Sequence, residues 1–600
     1  MRRERRRSGA HRHIDMRAGS AARSAVVLLA AVAAAVSAVI ALAPAAVTAH
    51  AEAAVWTAPA GARIFPGTAA GSRQTVSLNA AGGEYEGVLI GLRSGSSRTV
   101  RATWLAGSDR LLTGNAQLHD VKFVRVKQPT TDSGARAGLY PDPIVPRRFG
   151  QAISSPARSS SLYVLFHVPY GTPAGTYRGT LRIGNGSETV DLPVSLRVWG
   201  FGWRSLSTQS AFVVNLRNVM TSIKGSGVPW TRTSRRIIFT NFYRMMRQHG
   251  VTPMMVNAMP SVSASGRFNE GRYYEDVAPF LGADGLELPD TQIPWTDWFP
   301  HTSWRASTGS AALLTYLTEL SRFYKRHGWE KKAYAFIVDE PTRTTSERVA
   351  ERYARLVHKA SARAGFRMRF LLTDDPRPRA VTTHAANRFL YDDVDIWATR
   401  YFYFFGRVPA LRERQRHGKE VWWYPYANKE VRRLPNFVIE KSLADQRVWG
   451  WLMDQWDVDG LLYWGFNRWG DPQTGMGSRD PYSSPLSYRK RDGRVCNGEA
   501  MLVYPGYYPR YGLTDGYAAP VSSLRLEALR DGFEDREYLR LAASGGKDDR
   551  AYARSVSRTV TWFPYKVQYG HVLKFPKYVT SASAFNAART KLALRIERSR

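Results

Sequence analysis

The 600 residues contain one cysteine, Cys496. A lone thiol excludes an intramolecular disulfide framework and a cysteine-clustered zinc or iron–sulfur site. The 12 histidines include no H-E-x-x-H pair and no two at helical spacing, so a helix-borne zinc site lacks its ligands. There is no G-x-S-x-G elbow and no P-loop, and no G-x-G-x-x-G follows a strand-like run. Nucleophilic-serine, phosphoryl-transfer and dinucleotide chemistry therefore lack their parts. Internal repeats and long linkers are missing too. No metal and no cofactor is expected.

Acidic residues are the other shortage. They number 50 against 85 Lys and Arg, for a formal charge of +35. That charge invites a nucleic-acid partner, but no helix-turn-helix, zinc-finger or RNA-recognition signature accompanies it. Part of it belongs to the N-terminus. Residues 1–23 hold eight arginines against Glu4 and Asp15, and an uncharged Ala/Val/Leu-rich stretch runs from Ser24 to Val47. Ala49-His50-Ala51 then supplies an A-x-A cleavage site. Charged, apolar, then small is the secretory signal pattern. Residues 1–51 are read as a signal peptide, with an uncleaved anchor as the alternative. Its removal takes away eight basic and two acidic residues and leaves +29. The remaining bases are scattered. The partner expected is an oligosaccharide or polysaccharide, neutral or anionic, with no nucleic acid and no stable membrane insertion after cleavage. The location expected is outside the cell, free or at its surface.

From Trp56 to Trp203 the segments are short, strand-like and punctuated by turns. Thr75–Leu78, Val121–Val126, Ser161–Val168 and Thr189–Val198 are examples, several alternating apolar and polar as in a sheet buried on one face. Gly179–Ile183, the turn 184–187 and the following strand read as a hairpin. After Trp203 apolar runs alternate with helical patterns. The runs are Ala211–Asn215, Val251–Asn257, Lys332–Val338, Met368–Thr373, Asp395–Thr399, Val421–Tyr426 and Leu461–Phe466. The clearest helices are Thr233–His249, Ala311–His327 and Thr345–Ala364. This rhythm predicts parallel strands in βα units. The fold class expected is multidomain β plus α/β. It comprises a β-sandwich over 52–203, a TIM-like (β/α)8 barrel over 204–545, and C-terminal helices packing on the barrel over 546–600.

Barrel chemistry sits at the C-terminal ends of strands. The polar residues there are Asn215, Asn257, Asp339-Glu340, Asp374-Asp375, Arg400, Tyr424 to Asn428, and Asn467. In Tyr334-Ala-Phe-Ile-Val-Asp-Glu-Pro341 an apolar run leads directly into two adjacent carboxylates. Two ionised neighbours repel, so one pKa should rise, and a carboxylic acid that stays protonated can serve as a general acid. Aromatic residues cluster at two further strand ends, Val421-Trp-Trp-Tyr-Pro-Tyr426 and Leu461-Leu-Tyr-Trp-Gly-Phe-Asn-Arg-Trp469. Aromatic faces stack on sugar rings while polar neighbours bind hydroxyls. Trp422, Tyr424, Trp464 and Asn467 are the picks for the pocket side, with Trp469 and Asp375 completing the substrate-binding set. The acid-rich Thr373-Asp-Asp-Pro376 and Tyr391-Asp-Asp-Val-Asp395 lack calcium-loop spacing and read as solvated loop acids.

These residues resemble the domain-of-unknown-function 4091 proteins, which contain glycoside hydrolase family 123. The resemblance rests on Val338-Asp-Glu-Pro341, Val421-Trp-Trp-Tyr424, Asp459 to Trp469, Leu502-Val-Tyr-Pro-Gly506 and the block Ser523 to Leu539. Leu139-Tyr-Pro-Asp-Pro143 and Pro173 to Gly179 extend it to the N-terminal part. It implies a retaining exo-β-N-acetylgalactosaminidase working by substrate assistance. Glu340 would protonate the glycosidic oxygen and later activate water, and Asp339 would orient the substrate's 2-acetamido group. Two alternatives stay open. One is an ordinary retaining glycosidase pairing Glu340 with Asp374 or Asp375. The other is a non-catalytic glycan-binding envelope protein.

Overall fold

Turn-punctuated alternation over 55–202 builds two five-stranded sheets. A computed structural model of the chain describes residues 55–600 apart from 94–97, 156–157, 186–187, 297–298, 301–310, 342, 381–383, 428–431, 471–479, 490–491, 564–566, 569–570 and 573–574. The segment expected to be a signal peptide lies outside the described residues. The first ten strands are β1 (Val55–Pro59), β2 (Val76–Gly82), β3 (Tyr85–Arg93), β4 (Arg98–Trp104), β5 (Ala116–Val126), β6 (Gly138–Arg147), β7 (Ile153–Ser155), β8 (Ser159–His167), β9 (Gly175–Asn185) and β10 (Glu188–Gly202). They pair in the orders β1-β3-β8-β5-β6 and β2-β10-β9-β4-β7. β9 and β10 form the expected hairpin, with Leu181 opposite Leu192.

Alternation divides each strand between two environments. Val88, Ile90, Leu162, Val164 and Phe166 meet Ala102, Ile183, Leu192 and Leu196 of the other sheet in one apolar cluster. The opposite face of the first sheet is buried as well. Leu89, Val121, Tyr163 and Leu165 pack against Leu443, Leu524 and Ala528. This corrects the expectation of one-sided burial: nearly all of β8 is covered, because a helix of the following region lies on its second face.

Seven parallel strands follow: β11 (Gln209–Phe212), β12 (Thr291–Gln292), β13 (Ala333–Ala335), β14 (Arg369–Leu372), β15 (Ile396–Arg400), β16 (Glu420–Tyr424) and β17 (Gly460–Tyr463). Their order is β11-β17-β16-β15-β14-β13-β12, so the first strand lies beside the last. The run Val251–Asn257, expected as a strand, forms a single bridge at Pro253 instead. It still occupies the gap between β11 and β12. Phe212 N–H bonds Thr252 C=O at 2.8 Å, Met254 N–H bonds Phe212 C=O at 2.9 Å, and Gln292 N–H bonds Met254 C=O at 2.7 Å.

The inside of this ring is filled by side chains, as in a barrel core. Ala211, Met254, Tyr334, Leu371, Ile396, Ala398, Trp422 and Leu462 form one cluster. The intervening residues Trp397, Val421, Trp423, Leu461 and Tyr463 point outward into the large core beneath the helices. Helices follow the strands at Arg232–Gln248, Ala311–Arg326, Thr344–Ala362, Val408–Arg416, Ala444–Gln455 and Leu524–Ala542. In Ala311–Arg326 the buried Leu313, Tyr316, Leu317, Leu320, Phe323 and Tyr324 recur at three- and four-residue spacing.

Helix Leu524–Ala542 is buried on nearly every side. Two of its charged residues are paired deep inside the fold: Arg525 pairs with Asp142 of β6 at 2.9 Å, and Asp535 accepts from Arg447, Trp451 and Arg589. Gly450 and Gly532 permit the close approach of helix Ala444–Gln455. A methyl group at Gly450 would sit 1.7 Å from the Gly532 carbonyl oxygen. Beyond it come helices Lys547–Val560 and Ala582–Arg598, with short antiparallel strand pairs between them. Among the described residues no helix is long and apolar enough to cross a membrane.

Candidate active site

Inward-pointing positions recur every second residue. From the lumen residues Leu371, Ala398 and Trp422, one further step gives Thr373, Arg400 and Tyr424. Arg400 and Tyr424 are direct neighbours in the parallel register of β15 and β16. These three side chains form the upper layer of the barrel interior, and Glu340 meets them there.

β13 is shorter than expected. It ends at Ala335, and the carbonyl of Phe336 accepts a side-chain bond from Gln292 at 3.2 Å. The carboxylates therefore lie beyond the ladder, on a short extended arm ending at Pro341. Glu340 has φ +41°, a backbone conformation that side-chain-bearing residues rarely adopt. Thr373 anchors it. Its hydroxyl accepts from Glu340 N–H at 2.7 Å and donates to Asp339 Oδ1 at 2.8 Å.

Glu340 is held from the other side by two donors. Tyr424 Oη donates to Oε1 at 2.8 Å, and Arg400 Nε reaches the same oxygen at 3.1 Å. Arg400 Nη2 pairs with Oε2, and Arg400 Nε bonds Tyr424 Oη at 2.6 Å. Burial drives the Tyr424 hydroxyl far above its ordinary value and Glu340's charge adds to this, against Arg400, so it remains a donor. Asp339 is open to solvent, though neighbouring protein partly desolvates its carboxyl. That surrounding raises its carboxyl, the Thr373 bond opposes the rise, and the charge of Glu340 adds to it. The expected upward shift thus falls on Asp339, with desolvation ahead of repulsion as its cause.

A cavity of about 70 Å³ opens beside Glu340, lined also by Asp374, Asp375, Arg377, Arg400, Arg407 and Tyr424. Asp374 and Asp375 are ion-paired rather than solvated, which corrects the loop reading. Asp374 Oδ1 accepts from Asp375 N–H and Arg377 Nη1, and Oδ2 accepts from Arg377 Nη2 and Asn387 Nδ2. Its oxygens are fully engaged. Asp375 binds Arg407 Nε at 2.5 Å and keeps a face toward the cavity. Asp395, in the second acid-rich stretch, is likewise paired, with His358 and Lys419.

The structure brings Asp339, Glu340, Asp375 and Tyr424 together. Trp422 points inward as expected but lies one layer below Tyr424, fully buried, with its indole N–H on Glu420 at 3.0 Å. Trp464 is half-buried and donates to Glu499. Asn467 is buried and ties its amide to the backbone of Asn215, at 2.7 and 3.1 Å. Trp469 is buried and donates to the carbonyl of Val503. Thr373, Arg377 and Arg407 were missed by sequence reasoning. The alternation that selected Tyr424 also selects Thr373, whereas nothing in the sequence marks Arg407, which comes from beyond the strand.

Residues 301–542 match the family model of the glycoside hydrolase 123 catalytic domain. A family 123 glycoside hydrolase from Clostridium perfringens is similar in fold, with a TM-score of 0.61 at 12% identity over 91% of this chain and 97% of its own. A β-D-glucuronidase of Dictyoglomus thermophilum aligns at 11% identity over 76% of this chain and 68% of its own, but its TM-score of 0.28 carries no argument. No curated protein sequence matches the chain. The match of residues 301–542 to the family 123 catalytic-domain model and the shared fold together support a glycoside hydrolase.

Proposed function

We propose that the protein removes terminal β-linked N-acetylhexosamine, N-acetylgalactosamine first, by retaining, substrate-assisted catalysis at the cavity beside Glu340. The observation that carries this reading is the Thr373 hydroxyl shared between Asp339 and the backbone of Glu340. Ordinary retaining enzymes place two carboxyl groups across the sugar, about 5–5.5 Å apart. Two carboxyls from adjacent residues, positioned through one hydroxyl that holds the Asp339 side chain and the Glu340 backbone, suit a reaction whose nucleophile belongs to the substrate.

In the first half, the acetamido oxygen attacks the anomeric carbon as the glycosidic bond breaks. Glu340 gives its proton to the departing oxygen, and Asp339 accepts the acetamido N–H and steadies the positive charge of the cyclised ring. In the second half, Glu340 takes a proton from water. The water oxygen attacks the anomeric carbon and reopens the ring with overall retention. In the sugar-free structure Tyr424 and Arg400 both donate to the Glu340 carboxyl, Arg400 reaching both of its oxygens. The acid form requires that the arriving sugar draw Arg400 away. A 70 Å³ cavity, against about 300 Å³ or more for ordinary ligand sites, calls for the same displacement.

The architecture read with this function is the β-sandwich over 52–203, the (β/α)8 barrel over 204–545 and closing helices over 546–600. The two sheets with one core and the chain-order ring of strands support it. The pattern of residues 1–51 supports export. The subject of the C. perfringens structure is glycolipid glycan hydrolysis, so glycolipid glycans join the substrates proposed for this chain.

Hydrolysis of an aryl β-N-acetylgalactosaminide tests the reading. Wild type should turn over, and Glu340→Gln and Asp339→Asn should each lose about 100-fold or more in kcat. A thiazoline mimic of the cyclised sugar should inhibit strongly. Weak inhibition, with a covalent glycosyl adduct trapped on Asp375, would assign the ordinary retaining route instead.

A further inference from the structure

A second and larger cavity, about 350 Å³, lies at the opposite end of the barrel. Its walls come from segments that precede barrel strands, 203–208 before β11, 247–252 before the Pro253 bridge, and Pro289 before β12. The turns at Gly83–Tyr85 and His167–Tyr170 of the first sheet complete it. Its volume falls within the range of small-molecule sites. The proposed reaction makes no use of it.

Two arginines of its lining stand without a carboxylate partner among the described residues. Arg204 lies 4.6 Å from the Tyr170 ring centroid and has no carboxylate partner among the described residues. The Arg247 guanidinium has neither a hydrogen-bond nor an ion-pair partner there, and burial lowers its pKa against the pull of Glu287. Lys332 is close enough to feel Arg247. The carboxyl group facing the cavity is that of Glu534. Its Oε1 accepts from Tyr85 N–H at 2.9 Å, and its Oε2 is buried without a hydrogen bond, 3.8 Å from Arg530. Burial pushes the Glu534 carboxyl up, against the pull of Arg530.

Aromatic surface accompanies this charge. Tyr170 is 51% exposed, Tyr85 and His167 stack with centroids 4.3 Å apart, and Trp203 forms part of the floor. Guanidinium groups bind carboxylate and sulfate oxygens with directed N–H pairs, while flat rings receive the C–H face of a sugar. We propose that this cavity is an accessory site for an acidic sugar residue, its carboxylate or sulfate on Arg204 and Arg247 and its ring against Tyr170. The site would hold an anionic glycan on the face of the barrel opposite to Glu340, independently of the reaction there.

Calorimetric titration of the Glu340→Gln protein with a chondroitin sulfate tetrasaccharide tests this. The double variant Arg204→Gln/Arg247→Gln should weaken binding at least tenfold, and Tyr170→Ala should weaken the tetrasaccharide while leaving inorganic sulfate binding unchanged. In the otherwise wild-type chain neither variant should change aryl-glycoside hydrolysis more than twofold. Raising salt to about 0.5 M should also weaken binding, since screening reaches exposed guanidinium groups. Unchanged affinity in the double variant overturns the site. Displacement by inorganic sulfate at equal concentration overturns the sugar and leaves a bare anion patch. Because titration uses a hydrolytically disabled protein, failure of the proposed reaction and failure of this site are separate results.

Discussion

Thr373 has one hydroxyl and uses it twice, accepting from Glu340 and donating to Asp339. The donated bond lowers an Asp339 carboxyl that desolvation raises. Thr373→Val should therefore raise it further. If catalysis needs the Asp339 carboxylate, activity is lost as pH falls through that pKa, so the acid limb of kcat/KM in the variant should move to higher pH. A pH–rate profile with an unmoved acid limb would take Asp339 out of the reaction. The placement of the carboxylate pair was legible, because an apolar run leading into Asp-Glu-Pro puts both groups at the C-terminal end of the barrel. The aromatic picks were legible only in direction. Alternation correctly turned Trp422 and Tyr424 inward, but it says nothing about depth, and one strand step of about 6–7 Å separates a core ring from a cavity wall. Asn467 was chosen for its amide, and the fold uses that amide to bind the backbone of Asn215.

At the scale of elements, the long amphipathic helices were readable almost to the residue, since a 3.6-residue stripe repeated over four turns has little competition. Short buried strands were not. Val251–Asn257 and Lys332–Val338 are apolar enough to be strands, yet ladder bonds reach only part of each run. Hydrogen-bond partners, unlike hydrophobicity, are set by neighbours far away in sequence. The clamp around Asp395 is another such case. It takes bonds from His358, Lys419, Arg367 and the backbone of Phe370, joining helix Thr344–Ala362 to the starts of β14 and β15. Burial works to raise Asp395, and His358 and Lys419 overcome it, pulling it down to about 2. A depressed carboxyl contributes stability above its unfolded pKa, near 4, and the contribution disappears as pH falls through about 2. Denaturant unfolding between pH 6 and 2 should show about 2–3 kcal/mol of acid-labile stability that Asp395→Asn lacks. Gly450→Ala tests packing. With no room for a methyl group between helices Ala444–Gln455 and Leu524–Ala542, it should cost about 3 kcal/mol or more in the same assay.

At the scale of the whole molecule, the change of rhythm near Trp203 was clear in the sequence, but it does not mark a line along which the protein comes apart. Residues Ala53–Arg600 form one unit. Arg525 binds Asp142 with both groups fully buried, and Arg589 reaches Glu84, Glu86 and Asp535 together. Removing one side of a buried ion pair leaves an uncompensated charge, typically at 3–5 kcal/mol. A chain starting at residue 204 should therefore be insoluble or should melt far below the full protein in a thermal scan. Coincident melting temperatures would make the sheets a true appendage. Such pairs are invisible in sequence: Asp142 and Arg525 both fall in stretches that carry the family resemblance, but they stand hundreds of residues apart and nothing in either stretch names its partner. The net charge of +35 misled at first for a related reason: a sum over the chain hides which arginines are already paired.

The left-handed backbone at Glu340 has one more consequence. A side chain in that conformation costs about 1–2 kcal/mol that glycine avoids. Glu340→Gly should thus unfold at a higher denaturant concentration than Glu340→Ala, although both lack the carboxylate. Selection for stability alone would drift toward glycine here, and the proton transfer proposed for Glu340 is what would hold a glutamate against that drift. Loss of activity in this lineage should therefore be recorded first at this codon, by a residue that makes the fold more comfortable.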